Sequence, residues 1–191
     1  MRKIISFMHM SLDGFVAGPN GEMDWITVDQ EIFDHVGKRI SESDTALYGR
    51  VTYQMMENYW PTAGDQPNAS KHDREHAQWY NQAHKIVVSK SLKGAALPNT
   101  TIISDNLADR IQEIKQSSQG GYKEILLFGS PSATHSLMQQ DLLDGYWLFV
   151  NPIILGQGIP LFDGVKDKTK LNLVSTQQFT SGVVALSYVV R

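Results

Sequence analysis

From Glu124 to Phe128 the chain reads Glu-Ile-Leu-Leu-Phe, a nearly continuous apolar run. Successive side chains of a strand point to opposite faces, so a strand of this kind offers no face to water and must be buried on both. That calls for a sheet with helices on either side, and the rest of the sequence supplies the parts. Lys3–Met10, Thr45–Tyr48, Lys85–Val88 and Thr101–Ser104 read as further short strands. Between them lie helical patterns. Thr27, with Gln30 three residues on, has the form of a capping box, and Ile32, Phe33, Val36 and Ile40 recur at helical spacing, which predicts a helix over Val28–Ile40. Val51–Met56 reads as a helix broken by Asn58, Trp60 and Pro61, and Pro61–Ser70 has the composition of a surface excursion. Asp73–Ala83 reads as a polar helix. Leu107, Ile111 and Ile114 keep one helical face, followed by a loop over Ser117–Gly121. Gly129-Ser130-Pro131 reads as a strand end, a cap and a proline at the first helical position, opening a helix to about Gln140. Beyond Gly145 only strands follow, Tyr146–Val150, Leu171–Thr176 and Val183–Val190, and with no long helix between them they cannot all be parallel. The expected fold is α/β: one domain over residues 1–191, with a mixed, mainly parallel sheet of about eight strands flanked by helices and closed by an antiparallel carboxyl-terminal hairpin.

Composition narrows the chemistry. The 191 residues include no cysteine, which excludes disulfide scaffolds, thiol catalysis, cysteine zinc sites and iron–sulfur clusters. Seventeen basic against twenty acidic side chains leave a net charge of -3, with no electrostatic footprint for a nucleic-acid backbone. No apolar run is long enough for a membrane span, and Met1–Met10 lacks the form of a signal peptide, so a cytoplasmic setting without membrane partners is expected.

Three strand ends could carry a ligand. Gly49-Arg50-Val51-Thr52 lies where a strand hands over to a helix, and an arginine beside the positive end of a helix invites an anion that neutralises both. A solvated Arg50 beside a plain glycine turn is the simpler alternative. Gly129-Ser130-Pro131-Ser132 repeats the arrangement, so two phosphates, as in a dinucleotide, become an option beside an ordinary helix cap. Ser89-Lys90 is a third polar strand end.

Together with Ser11-Leu12-Asp13-Gly14-Phe15-Val16-Ala17 and Asn151-Pro152-Ile153-Ile154-Leu155-Gly156-Gln157-Gly158-Ile159-Pro160-Leu161-Phe162, these segments resemble the dihydrofolate reductase superfamily. The resemblance spans the chain and is closer to the branch containing the reductase domain of the bifunctional riboflavin-biosynthesis deaminase-reductase. It implies an NADPH-dependent reductase. Val16 and Ala17 would hold the nicotinamide through backbone groups, while Gly49, Arg50, Val51 and Thr52 would bind phosphate. Ser89 and Lys90 match positions near the adenosine 2'-phosphate, and Gly129, Ser130 and Ser132 match the pyrophosphate turn. That turn usually carries two glycines, and Ser130 with Pro131 removes backbone freedom and one donor.

The resemblance also implies hydride transfer to a C=N or C=O group of a small heterocyclic or ribosylamine substrate, with 5-amino-6-(5-phosphoribosylamino)uracil as the candidate. The substrate would lie between the first helix, with Trp25 and Phe33, and the loop carrying Asn151, Leu155 and Gly156. Folate reductases place a carboxylate five residues after a tryptophan, but here that position is Gln30, which argues against dihydrofolate reduction. Asp29 and Glu31 flank it on different helical faces, and Asp29 is the first choice for orienting a proton-donating water, with Glu31 second. A non-catalytic, ligand-binding or structural dimer that keeps the fold is the alternative. His72 and His76 stand four apart, but the residue after His72 is Asp73 and the metalloprotease pattern fails, so no metal is expected. Relatives of this kind commonly pair, and the apolar run Tyr146–Val150 is the expected homodimer surface unless it is a central strand.

Overall fold

The computed structural model describes residues 1–117, 123–165 and 167–191. In chain order the elements are β1 (Ile4–Ser11), β2 (Phe15–Ala17), α1 (Gln30–Ser41), β3 (Thr45–Gly49), α2 (Arg50–Ala63), α3 (Lys71–Gln82), β4 (His84–Val88), β5 (Thr100–Ile103), α4 (Leu107–Gln116), β6 (Ile125–Phe128), α5 (Pro131–Met138), β7 (Gly145–Asn151), β8 (Ile159–Pro160), β9 (Leu171–Gln178) and β10 (Val184–Val190). Eight strands form one sheet in the order β5-β4-β3-β6-β1-β7-β10-β9. Pairing is parallel from β5 through β7 and antiparallel from β7 through β10 to β9. The mixed sheet and carboxyl-terminal hairpin expected from the sequence are both present.

The apolar run at β6 does what its pattern requires. Ile125 and Leu127 face a core shared with Ile111 of α4 and with Ala133 and Leu137 of α5. Leu126 and Phe128 face a second core, with Ile32, Val36 and Ile40 of α1, Tyr53 of α2 and Tyr80 of α3. Helices α1, α2 and α3 therefore cover one face, and α4 and α5 cover the other. At the amino ends of the strands an ion pair between the buried Lys115 and the partly exposed Asp144, Nζ to Oδ2 at 2.6 Å, anchors α4, and the same oxygen accepts the Ile4 N–H at 2.8 Å.

Several local expectations are corrected. Helix α1 is capped by Asp29, whose Oδ1 accepts the Ile32 N–H at 2.9 Å, and not by Thr27, whose N–H is taken by Asn151 Oδ1 at 2.9 Å. Helix α2 runs through Pro61 to Ala63, because in the last turn a proline forfeits a single backbone bond, to the Glu57 carbonyl. Helix α3 begins two residues early, at Lys71, on a capping box between Ser70 and Asp73. The small antiparallel ribbon of β2 and β8 had no clear sequence signal, since three residues against two are too few for periodicity. The loop expected over 117–121 lies, beyond Ser117, outside the described residues.

Tyr146–Val150 forms the body of β7, between β1 and β10, with all but Val150 buried. Its apolar character is accounted for within one chain. The exposed apolar side chains of this part of the sheet are Leu173 and Val174 on the edge strand β9.

Candidate functional site

Strands β4, β3 and β6 are sheet neighbours, so the three strand ends singled out in the sequence stand side by side. Gly49 is in register with Val88, and Phe128 closes the next strand. From β3 the chain enters α2 on one face of the sheet, while from β6 it enters α5 on the other. Such a divergence is where open α/β sheets leave a crevice at the carboxyl ends of their strands.

The two helix starts touch. Gly49 N–H donates to Ser130 Oγ at 2.9 Å, and that hydroxyl donates to the Phe128 carbonyl at 3.1 Å. A Cβ on Gly49 would lie 3.5 Å from Ala133 Cβ, and one on Gly129 would lie 3.6 Å from Thr52 Cγ2. Ser130 occupies the cap position of α5 but does not cap it. Its φ of 57° is left-handed, which turns the hydroxyl across to α2. Among the described residues neither α2 nor α5 has a side-chain cap or an acid in its first turn, so both keep outward-facing amides and uncompensated positive ends. Arg50 is exposed and, among the described residues, bonds only locally, to Gln54 Oε1 at 2.8 Å. Lys90 is also exposed, whereas the buried Ser89 hydroxyl organises its own turn by accepting the Leu92 N–H at 3.2 Å.

The opposite wall is built from the first loop and the segment after β7. Ser11 Oγ donates to Asp13 Oδ1 at 2.7 Å, and Asp13 accepts the N–H groups of Leu155 (3.1 Å) and Gly156 (2.8 Å). The Ser11 hydroxyl foremost, and then these amides, hold the Asp13 carboxyl below the usual carboxylate range. Gly158 closes the same segment onto β2, since a Cβ there would collide with the Ala17 carbonyl oxygen at 2.2 Å. Val16 and Ala17 are buried in that ribbon, which His135 of α5 steadies through the Leu161 carbonyl at 2.9 Å.

The remaining expected site residues are brought to this end of the sheet, most with partners already. Asn151 is buried; its Oδ1 holds Thr27, and its Nδ2 donates to the Phe149 carbonyl at 3.1 Å. It positions the approach to α1. Asp29 spends one carboxylate oxygen on the helix cap. Glu31 Oε2 accepts both the N–H (3.0 Å) and the hydroxyl (2.8 Å) of Thr180 in the β9–β10 turn. Trp25 Nε1 donates to the Glu22 carbonyl at 3.1 Å. Phe33 stacks on His72 with centroids 4.0 Å apart, joining α1 to α3, and His76 packs on Trp60 at 3.9 Å. Both histidines thus serve an aromatic cluster. Ser132, at the second position of α5, is exposed.

A profile of the RibD C-terminal domain matches residues 2–185. The chain belongs to the RibD C-terminal domain family. Among curated relatives, the uncharacterized protein YyaP of Bacillus subtilis is 32% identical over 190 residues, covering 98% of this chain and 94% of that one. The uncharacterized protein YwjB of the same organism is 26% identical over 183 residues, covering 95% of each. Among solved structures, a putative riboflavin biosynthesis protein from Shewanella superposes with a TM-score of 0.72 at 19% identity, covering 99% of both chains. The diaminohydroxyphosphoribosylaminopyrimidine deaminase/5-amino-6-(5-phosphoribosylamino)uracil reductase of Thermotoga maritima superposes at 0.68 with 16% identity. This RibD-domain chain is wholly covered and spans 57% of that protein. The fold is that of the RibD reductase domains, which is dihydrofolate reductase-like.

Sequence reasoning missed the work of Asp13, although it stood in the motif, because its partners lie at Leu155 and Gly156. His9, a lone histidine in a strand of apolar and hydroxyl side chains, reads from sequence as a core or surface histidine.

Proposed function

We propose that this RibD C-terminal domain protein is a cytoplasmic NADPH-dependent reductase acting on a C=N or C=O group of a small heterocyclic or ribosylamine substrate. The observation that carries this reading is the pair of touching, uncapped helix starts at the divergence of β3 and β6, with Arg50 exposed beside them. Outward-facing amides from two helices suit a pyrophosphate bridge, and Arg50 and Lys90 suit further phosphates. On this reading Arg50, Val51, Thr52, Gly129, Ser130 and Ser132 bind the phosphates, with Ser130 acting through its backbone because its hydroxyl is committed, while Gly49, whose N–H that hydroxyl holds, shapes the turn. Ser89 and Lys90 take the 2'-phosphate, and Val16 and Ala17 face the nicotinamide. When bound, NADPH supplies the hydride. Trp25, Phe33, Leu155 and Gly156 border the substrate, Asn151 fixes that border, and Asp29 keeps a second carboxylate oxygen with which to orient a water.

The names of the Thermotoga protein, and of a pyrimidine reductase-like protein from Corynebacterium diphtheriae with a TM-score of 0.67, favour 5-amino-6-(5-phosphoribosylamino)uracil or a close pyrimidine as substrate. A non-catalytic dimer is the second reading, favoured by the engagement of Asp29 and Glu31 in structural bonds. Titration with NADPH, followed by tryptophan fluorescence and calorimetry, separates the two. Saturable binding weakened at least tenfold by Arg50→Ala is expected for the reductase, and absence of binding at millimolar NADPH refutes it.

A further inference from the structure

His9 has no part in the proposed reaction so far, yet it lies near the carboxyl end of β1, beside the divergence of β3 and β6. Strand β6 leaves the sheet at Phe128, the register partner of Phe7, and the chain turns away through Gly129, whose N–H donates to the Phe7 carbonyl at 3.0 Å. On the other side β7 stays paired with β1 as far as Ser11. The last residues of β1 therefore form a floor between the Gly129–Ser132 turn and the segment that follows Asn151. Met8 and Met10 face the core beneath α5. His9 faces the other way, toward the α1 side, where its ring stacks on Phe149 with centroids 4.9 Å apart and meets Phe7 edge-on at 5.9 Å. Between Met8 and Ser11 it is the one ionisable side chain.

His9 Nδ1 is buried with no hydrogen-bond partner among the described residues, while the residue as a whole keeps part of its surface open. A ring nitrogen buried without a partner weakens a fold, a cost that an apolar side chain at this position on a central strand would not carry. Such a cost, located at the carboxyl end of the central strand, marks a group kept for a ligand.

We propose that His9 is a substrate-contacting residue, whose Nε2, the ring nitrogen that is not enclosed, donates a hydrogen bond to the heteroatom of the C=N or C=O bond that is reduced. This inference rests on the reductase reading. In the reaction the carbon gains the hydride, the π electron pair passes to the heteroatom, and the heteroatom takes a proton from water. His9 stabilises the charge that develops and ends the cycle unchanged. Burial holds the ring neutral by pushing its pKa down to about 4, so at neutral pH one ring nitrogen carries a hydrogen to donate.

The test compares wild type with His9→Phe, which keeps the aromatic packing, and His9→Gln, which restores an N–H donor. NADPH binding is titrated in all three, and NADPH oxidation is followed with 5-amino-6-(5-phosphoribosylamino)uracil and with dihydrofolate as probes. In parallel, the His9 ring ¹⁵N resonances are recorded as the pyrimidine is added to wild type saturated with NADP+. The expected result is NADPH affinity within twofold across the set and a loss in kcat of roughly a hundredfold in His9→Phe. His9→Gln should recover part of that loss, and the ring nitrogens should shift on adding the pyrimidine. Turnover by His9→Phe at the wild-type rate, or ring resonances that do not move while the probe is reduced, overturns the proposal. Wild type that binds NADPH but reduces neither probe refutes this substrate class and the role of His9 with it. Wild type that binds no NADPH refutes the underlying reading instead.

Discussion

Replacing Ser130 by alanine cuts the joint between the two helix starts. The serine is 4% exposed; its hydroxyl accepts the Gly49 N–H at 2.9 Å and donates to the Phe128 carbonyl at 3.1 Å. Alanine leaves that N–H buried and unpaired, which costs about 1–3 kcal/mol. The left-handed backbone at φ 57° adds a second consideration. An L-residue there costs about 1–2 kcal/mol, a strain that Ser130→Ala retains and Ser130→Gly releases. Glycine gives back about 0.5–1 kcal/mol of that through the greater freedom of the unfolded chain. The two variants should therefore differ by about 0.5–1 kcal/mol, with alanine the less stable at about 2 kcal/mol below wild type. For a chain of 191 residues this corresponds to a melting temperature lower by about 4–8 °C in Ser130→Ala. Urea denaturation and calorimetry on the three proteins supply the comparison, and fluorescence titration should give weaker NADPH binding for the alanine variant. The reasoning fails if Ser130→Ala lies within 0.5 kcal/mol of wild type, or if the glycine variant is the less stable of the two.

Asp29→Ala should cost about 1 kcal/mol through the lost α1 cap, whereas Asp29→Asn keeps the cap. A tenfold or greater fall in turnover for the asparagine variant at unchanged melting temperature supports the water-orienting role, and unchanged turnover assigns Asp29 to the cap alone. Stability should also fall on acidification. Burial lowers the pKa of His76 to about 3 and that of His9 to about 4, from 6.5, so between those values the unfolded chain binds more protons than the folded one. Their contribution is complete above about pH 6.5 and is lost as pH falls toward 4 and 3, each histidine removing about 2 kcal/mol by pH 5. Urea midpoints at pH 7 and pH 5 check this, and His76→Phe should flatten the dependence; an equal pH slope in that variant refutes the assignment. Finally, sedimentation at micromolar concentration should give the mass of two chains, with Val174→Lys on the exposed edge strand β9 shifting it to one. A one-chain mass for wild type rejects the dimer.

The elements were legible where a local pattern and the tertiary demand coincide. The run at Ile125–Phe128 is apolar on both faces because helices cover both, and the three strand ends at Gly49, Ser89 and Gly129 are visible because glycine, hydroxyl and cation mark a turn in any context. Boundaries slipped where a distant partner outbid a near one. Thr27 has the form of a helix cap, yet its N–H goes to Asn151, 124 residues away, and Asp29 takes over the capping.

The same competition explains why the site's roles were harder to read than its location. Inserting β6 between β1 and β3 joins the Gly49 and Ser130 turns, 81 residues apart, through a hydroxyl whose local sequence suggested only a cap for its own helix. Glu31 reads as a free carboxylate beside Gln30 until the β9–β10 turn delivers Thr180 to it. His9 reads as an interruption of an apolar strand until β6 turns away at Phe128 and leaves the end of β1 as a floor. In each case the chemistry of the side chain was evident from its type, while its partner was set by strand order. Strand order depends on which helices leave which face, and a segment taken singly does not carry that information.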